Sequence, residues 1–331
     1  MRIAVPAETD ANESRVAATP ETVKKLIGLG ASVAVQAGAG KASGHMDAEY
    51  QAAGAQIQAS HQQVLADADI VLQVRRPRGQ DLAGLKKGAA ILALMDPYGQ
   101  QEAIQAIANT GANAFAMEFM PRITRAQVMD VLSSQANLAG YRAVIDASAE
   151  YGRALPMMMT AAGTIPAAKI FIMGVGVAGL QAIATARRLG AIVTATDVRP
   201  ATKEQVESLG AKFLAVEDEE FLQAQTAGGY AKEMSKDYQA KQAALTASHL
   251  AKQDIVITTA LIPGRPAPRL ISAEMVQSMR PGSVIVDLAV ERGGNCELSQ
   301  AGKVHVTDNG VKIIGYLNLP GRLAASASSL Y

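Results

Sequence analysis

The sequence of 331 residues has no tryptophan, one cysteine, four histidines and only 4% aromatic residues. The lone Cys296 excludes an internal disulfide framework and indicates a reducing compartment. The histidines are scattered without the spacing of metal ligands, so no metal site is expected. The formal net charge of +1 provides no strong field that would attract nucleic acid.

Long hydrophobic runs are also missing. The nearest candidate for a transmembrane helix, residues 155–186, contains Pro156, Pro166, Lys169 and several glycines, so it divides into a loop, a strand and a helix. The first residues begin a strand at once and do not resemble a signal peptide. Taken alone, the chain is expected to be soluble, with no direct insertion into a membrane.

The sequence contains two arrays of alternating strands and helices. Short β-branched runs alternate with helix-forming segments over residues 2–116, and the same alternation returns after residue 160. Such alternation is typical of parallel sheets covered on both faces. Between the arrays, Thr124 can cap a long helix that runs towards Glu150. The sequence therefore predicts an α/β fold with two Rossmann-like, doubly wound parallel-sheet domains joined by a long helix.

Residues 169–197 contain the full context of a dinucleotide-binding fingerprint. A predicted buried strand, residues 170–173, precedes Gly174, Gly176 and Gly179, and a predicted helix follows them. The first glycine permits a tight turn, the second lets the backbone approach a pyrophosphate, and the third lets the helix pack close to the strand. The helix N-terminus would bind the phosphates through unpaired N–H groups. The alternative is a glycine-rich turn that serves only strand–helix packing.

The identity of the nucleotide depends on Asp197, which ends the next predicted strand. Its carboxylate would accept hydrogen bonds from the 2′-hydroxyl of the adenine ribose and would repel a 2′-phosphate. Arg199, two residues later, could hold a 2′-phosphate. The acid is given more weight, so the sequence predicts NAD(H) as the cofactor. The predicted NAD(H)-binding domain covers residues 126–310, and residues 1–125 plus 311–331 form a discontinuous scaffold domain.

The stretch Pro121-Arg-Ile-Thr-Arg-Ala-Gln-Val-Met-Asp-Val-Leu-Ser-Ser-Gln135 resembles a known nicotinamide-site loop. It is similar to that of the NAD(H)-binding component, domain I or the alpha subunit, of proton-translocating nicotinamide nucleotide transhydrogenase. The similarity covers essentially the whole chain, and the motifs that carry it are residues 12–17, 137–144, 160–164, 174–179, 227–234, 258–264 and 287–296.

The resemblance implies direct hydride transfer between NAD(H) on this chain and NADP(H) on a partner domain III, coupled to proton translocation by a membrane domain II. It implies that Arg122, Gln127 and Asp130 are the catalytic residues that hold the nicotinamide, with Ser133 nearby. The alternative is a solvated Arg–Asp pair at the start of a helix. The remaining cofactor contacts that it implies are Gly174, Gly176, Val177, Gly179, Asp197, Val198, Arg199, Gly229, Tyr230, Thr259, Ala260 and Leu261.

The resemblance also implies an assembly. A homodimer is expected, and residues 128–149 and the strands after Gly282 carry more apolar surface than one fingerprint domain needs. The chain is expected in the cytoplasm, bound peripherally at the cytoplasmic face of the inner membrane through its partner subunits. Family members continue beyond the position of Tyr331 with further C-terminal helix.

Two other functions stay open. An alanine dehydrogenase would share the fold, but it needs a substrate lysine and a general-acid histidine where this chain has Arg75 and Met95 or Asp96. No histidine occurs between His61 and His249, and reduction of a keto acid needs a proton donor. The third possibility is a regulatory module that binds NAD(H) without turnover.

Overall fold

The computed structural model describes residues 1–121, 123–224 and 234–331. The chain divides into two compact units, of which the first comprises Met1–Gln135 with Pro320–Tyr331 and the second Ala136–Leu319. These boundaries differ from the predicted ones at 125/126 and 310/311. The later boundary moves because the strand Lys312–Ile314 pairs in the sheet of the second unit.

The first unit is built on a parallel sheet of six strands in the order β3-β2-β1-β4-β5-β6. Ile3 and Val5 belong to the core cluster on one face, and Ala4 between them belongs to the cluster on the other. Both faces are therefore covered, as a parallel sheet requires. The strands are β1 (Arg2–Val5), β2 (Ser32–Gln36), β3 (Gln56–Gln58), β4 (Ile70–Arg75), β5 (Ala90–Leu94) and β6 (Asn113–Ala116).

Short helices connect these strands. The first begins as predicted, because the Thr19 side chain accepts a hydrogen bond from the Thr22 N–H and Pro20 occupies the first turn. The helices of this part are α1 (Pro20–Gly28), α2 (Asp47–Ala52), α3 (His61–Leu65) and α4 (Gln101–Ala108).

The long helix is α5, Val131–Glu150, and it begins later than predicted. Residues Thr124–Met129 form a 3-10 helix instead. The carboxylate of Asp130 accepts hydrogen bonds from both the N–H and the hydroxyl of Ser133, at 3.0 and 2.6 Å, so it caps the first turn of α5. An acidic cap directly before an apolar run sets the helix start more strongly than Thr124 does.

The second unit contains a sheet of seven strands in the order β11-β10-β9-β12-β13-β15-β14. All neighbouring pairs are parallel except β14 and β15. Ile170 and Ile172 of the central strand face one core cluster, whereas Phe171 and Met173 face the other. The strands are β9 (Lys169–Met173), β10 (Ile192–Thr196), β11 (Lys212–Phe213), β12 (Ile255–Thr258), β13 (Val284–Asp287), β14 (Val304–Val306) and β15 (Lys312–Ile314).

The strands β7 (Met158–Thr160) and β8 (Gly163–Ile165) form a separate antiparallel hairpin in which every residue is exposed. The sequence predicts a loop here. The remaining helices are α6 (Val177–Arg188), α7 (Thr202–Ser208), α8 (Glu219–Leu222), α9 (Lys236–Leu250), α10 (Ala273–Gln277) and, in the first unit, α11 (Ala324–Ser329). Among the described helices none is long and apolar enough to cross a membrane. The predicted fold class is confirmed.

Candidate nucleotide-binding site

The fingerprint glycines lie at the carboxyl end of β9, the central strand of the second sheet. Gly174 has φ +102°, a backbone conformation that glycine adopts without strain and other residues rarely adopt. Thr259, which follows β12, donates its hydroxyl to the Gly174 carbonyl at 3.0 Å. A Cβ on Gly174 would lie 2.6 Å from that hydroxyl oxygen. The predicted tight turn is therefore present, and a neighbouring strand holds it closed.

The other two glycines have different surroundings. A Cβ on Gly179 would lie 1.9 Å from the Gly174 carbonyl oxygen, so only glycine lets α6 pack this close to the turn. A Cβ on Gly176 would meet no atom within 4 Å. Gly176 is also the N-cap of α6, and no side chain caps the helix there. An uncapped helix N-terminus that faces open space at a glycine fits a pyrophosphate, whose oxygens would accept from these N–H groups.

The acid predicted to bind ribose, Asp197, lies next to this turn and is tied to it. Its Oδ2 accepts a hydrogen bond from the Val175 N–H at 2.7 Å. Arg199 forms a two-pronged ion pair with the same carboxylate, with Nε 2.8 Å from Oδ1 and Nη2 2.9 Å from Oδ2. The structure therefore brings together the predicted fingerprint, Asp197 and Arg199. Val177, Val198 and Leu261, which were also predicted to contact the cofactor, are exposed apolar residues of this unit.

Asn295 and Asp287 support this site from behind, and neither was predicted to do so from the sequence. The buried Asn295 side chain accepts from the Ala260 N–H at 3.0 Å and donates to the Ala260 carbonyl at 2.9 Å. The buried Asp287 carboxylate accepts from the Cys296 N–H at 3.0 Å and from the Ser299 hydroxyl at 2.7 Å. Polar residues directly after a fully apolar strand are the only signal in the sequence. These bonds fix the segment after β12 at the position that the fingerprint turn requires.

The predicted nicotinamide residues belong to the first unit. Gln127 is exposed on the 3-10 helix Thr124–Met129, and Asp130 and Ser133 are bonded to each other at the start of α5. Arg122, Gly229 and Tyr230 lie outside the described residues. The convergence of Arg122, Gln127 and Asp130 on one nicotinamide ring stays a prediction.

The first unit also contains a buried group of charges. The Glu13 carboxylate, with no side-chain exposure, accepts from Arg15 Nη2 at 2.6 Å and from Arg75 Nε at 2.8 Å. Hydrogen bonds and charge from Arg15 keep the pKa of Glu13 below its usual range against the opposing effect of burial. Nearby, burial raises the pKa of Glu8 to about 7, although the N–H groups of Val74 and Arg75 donate to its carboxylate.

Residues that often carry other chemistry are placed unfavourably for it. Cys296 is buried, and burial raises the pKa of its thiol, which disfavours the reactive thiolate. In the described ranges, no group of three or more His, Cys, Asp or Glu residues is arranged to hold a metal ion.

The doubly wound sheet, the glycine turn and the acid at the end of the next strand define a nucleotide-binding protein of the Rossmann type. The chain belongs to the alanine dehydrogenase/PNT family, whose N-terminal domain profile matches residues 4–139 and whose C-terminal domain profile matches residues 143–331. The family assignment made from the sequence is confirmed.

Individual relatives agree with this. The chain is 56% identical to the first portion of the NAD(P) transhydrogenase alpha subunit of Rhodospirillum rubrum, over all of this chain and 87% of that protein. A crystal structure of transhydrogenase from Sinorhizobium meliloti matches with a TM-score of 0.92 at 62% identity, covering 100% of this chain and 90% of that one. The alanine dehydrogenase of Halomonas elongata is 31% identical over 99% of this chain and 84% of that protein.

Proposed function

We propose that this chain is the NAD(H)-binding component of a proton-translocating NAD(P) transhydrogenase. The observation that carries the proposal is the complete dinucleotide cradle, with its open space at Gly176, in a chain that matches transhydrogenase alpha subunits over its full length. The enzyme is an oxidoreductase that acts only with its partner domains. NAD(H) binds here, and NADP(H) binds to domain III.

Bound NAD(H) supplies the hydride chemistry, and the chain's own residues supply binding and orientation. The first turn of α6 holds the pyrophosphate, and Asp197 holds the adenine ribose. Gln127 offers a donor and an acceptor together, which suits a carboxamide or a ribose hydroxyl, and Asp130 fixes Arg122 by a charge-assisted bond. Transfer between two nicotinamide rings needs no acid or base from the protein. It needs a fixed short distance and the exclusion of water.

The assembly belongs to the same proposal. Domain III and the membrane domain II are the partners, and the chain is bound peripherally at the cytoplasmic membrane face through them. A homodimer is part of the proposal, but its support has changed. Ala139, Ala143 and Val144 of α5 are buried in the chain's own core, whereas Met157 and Met159 beside the β7–β8 hairpin are 61% and 78% exposed. Light scattering that gives a monomer mass at micromolar concentration would contradict the dimer.

The decisive test mixes the chain with its domain III and follows reduction of an NAD analogue by NADPH. We expect turnover only when both proteins are present. Alanine-dependent reduction of NAD by this chain alone would instead identify an alanine dehydrogenase. Tight binding of NADH without transfer in the mixture would identify a regulatory module.

A second experiment separates binding from positioning. Gln127→Asn should barely change the affinity for NADH, because most contacts are made by the pyrophosphate and adenosine. It should slow single-turnover transfer strongly, since a displacement of about 1 Å can cost on the order of 10²-fold. Gln101→Asn is the matched control, because Gln101 is also an exposed glutamine at the start of a helix. Equal rates for the two variants would remove the reason for placing the nicotinamide at this loop.

A further inference from the structure

The carboxylate of Asp197 is fully used by protein donors. Oδ1 accepts from the backbone N–H of Arg199 at 2.9 Å and from its Nε at 2.8 Å. Oδ2 accepts from the Val175 N–H at 2.7 Å and from Arg199 Nη2 at 2.9 Å. A carboxylate has about four lone-pair sites, and one residue, Arg199, therefore occupies most of them.

Arg199 is also more than a surface cation. Its Nη2 donates a further bond to the Val175 carbonyl at 3.2 Å, and its side chain is only 33% exposed. Hydrogen bonds to Asp197 raise its pKa further above the usual range, against the effect of burial. Its Nη1 makes no hydrogen bond to any residue that the structure describes. The guanidinium is thus held in one orientation beside the ribose-binding acid, with donor capacity left over.

A phosphate group matches what Arg199 now holds. The two-pronged bond from Nε and Nη2 to a carboxylate has the same geometry as the bond that arginine makes to a phosphate. In dinucleotide-binding folds an arginine near the end of this strand accommodates the 2′-phosphate of NADP(H), and an acid at the strand end binds the 2′-hydroxyl of NAD(H). Here both residues are present, and the acid occupies the arginine.

We propose that Arg199 is a latent binding site for the 2′-phosphate of adenosine, and that Asp197 closes it by ion pairing. Asp197 then sets specificity in two ways, since it faces the 2′ position and also engages the cation that would otherwise bind a phosphate there. The nearest cation along the chain, Lys203, is itself paired with Glu217 at 2.5 Å. The inference rests on the proposed NAD(H) site of the second unit, and it is independent of hydride transfer.

The test uses the full chain and two fragments of the cofactors, 5′-ADP and 2′,5′-ADP, titrated by calorimetry. These probes contain only the adenosine end, so they report on Asp197 and Arg199 without the nicotinamide loop. The wild type should bind 5′-ADP and should bind 2′,5′-ADP at least about tenfold more weakly. Asp197→Ala should raise the affinity for 2′,5′-ADP at least about tenfold, a change of about 1.4 kcal/mol. The same variant should bind 5′-ADP no better than the wild type.

The double variant Asp197→Ala with Arg199→Ala decides the mechanism. If Arg199 binds the phosphate, the gain for 2′,5′-ADP disappears in the double variant. If the gain persists, it comes from the loss of carboxylate repulsion alone, and the proposal is wrong. No gain in Asp197→Ala would also overturn it. Asp197→Asn, which keeps an acceptor for the Val175 N–H, should show the same gain and covers the case in which the alanine variant unfolds.

The outcomes also separate this inference from the proposed function. A wild type that binds neither NADH nor 5′-ADP contradicts the nucleotide site itself. A wild type that binds both, with no gain for 2′,5′-ADP in either Asp197 variant, contradicts only the latent site.

Discussion

Alanine substitutions at Gly176 and Gly179 should have different effects on stability and similar effects on binding. At Gly179 the added Cβ would lie 1.9 Å from the Gly174 carbonyl oxygen, whereas real Cβ atoms essentially never come closer than 3.0 Å. The start of α6 must therefore move by more than about 1 Å from the turn. Overpacking of this kind costs about 1–3 kcal/mol. The midpoint of thermal unfolding should fall by about 2–12 °C.

At Gly176 the added methyl meets no protein atom, and φ −82° with ψ −167° is a conformation that alanine adopts. Alanine is a poorer N-cap than glycine by roughly 0.5–1 kcal/mol, but it reduces the freedom of the unfolded chain by a similar amount, about 0.4–1 kcal/mol. Stability should therefore change by less than about 0.5 kcal/mol, the difference between these two effects. The methyl does fill the space predicted to receive the pyrophosphate, so the affinity for NADH should fall at least about tenfold.

The assays are thermal unfolding without nucleotide and titration of NADH fluorescence. Gly179→Ala should lose both stability and affinity, because the N–H groups of the first turn move with the helix. Gly176→Ala should lose affinity alone. Wild-type affinity in a folded Gly176→Ala variant would refute the placement of the pyrophosphate at this turn.

Three further predictions concern the rest of the structure. Glu13→Ala leaves a buried arginine unpaired and should destabilise the fold by about 3–5 kcal/mol in chemical denaturation, whereas Glu21→Gln, in an exposed pair with 77% side-chain exposure, should change nothing measurable. Because the pKa of Glu8 is raised in the folded state to about 7, its contribution is fully present below the unfolded value of about 4.5 and is lost as pH rises through about 7; Glu8→Gln should abolish that part of the loss between about pH 5 and 8, and an unchanged pH profile would contradict it. Asn295→Leu should lower both stability and NADH affinity, while Asn309→Leu, which removes a similar clasp on three backbone carbonyls, should lower stability alone; equal affinities in the two variants would deny Asn295 its supporting role.

The second unit's site could be predicted from sequence because its parts are local. Gly174, Gly176 and Gly179 lie within one strand–turn–helix, and each serves a backbone requirement that only glycine meets or that leaves space for a ligand. The structure confirms the tight turn at Gly174 and the close packing at Gly179. Asp197 follows at a spacing that one helix and one strand determine, so it also could be predicted.

Features that depend on distant residues could not be predicted in this way. The start of α5 was misplaced because Thr124 and Asp130 are both good caps, and only the Asp130–Ser133 bonds select between them. Asn295 supports Ala260 across 35 positions of sequence, and nothing local to either residue reveals the pairing. The ion pair of Asp197 and Arg199 lies between these cases, since the residues are close in sequence but their shared geometry needs the strand end and the Val175 turn.

The chemistry available to the chain is consistent with positioning more than with proton transfer. Reduction of a keto acid requires a proton donor beside the carbonyl oxygen, and the position expected for it holds Met95, which is buried and has no ionisable group. Both nitrogens of His61 lie at hydrogen-bond distance from protein oxygens, 3.2 Å from Gln36 Oε1 and 2.8 Å from the Asp81 carbonyl. His249 is bonded to Thr194 at 2.8 Å, and burial lowers its pKa. Hydride transfer between two nicotinamide rings makes no such demand, so a chain that binds one cofactor and holds its ring in place needs only the residues that this fold provides.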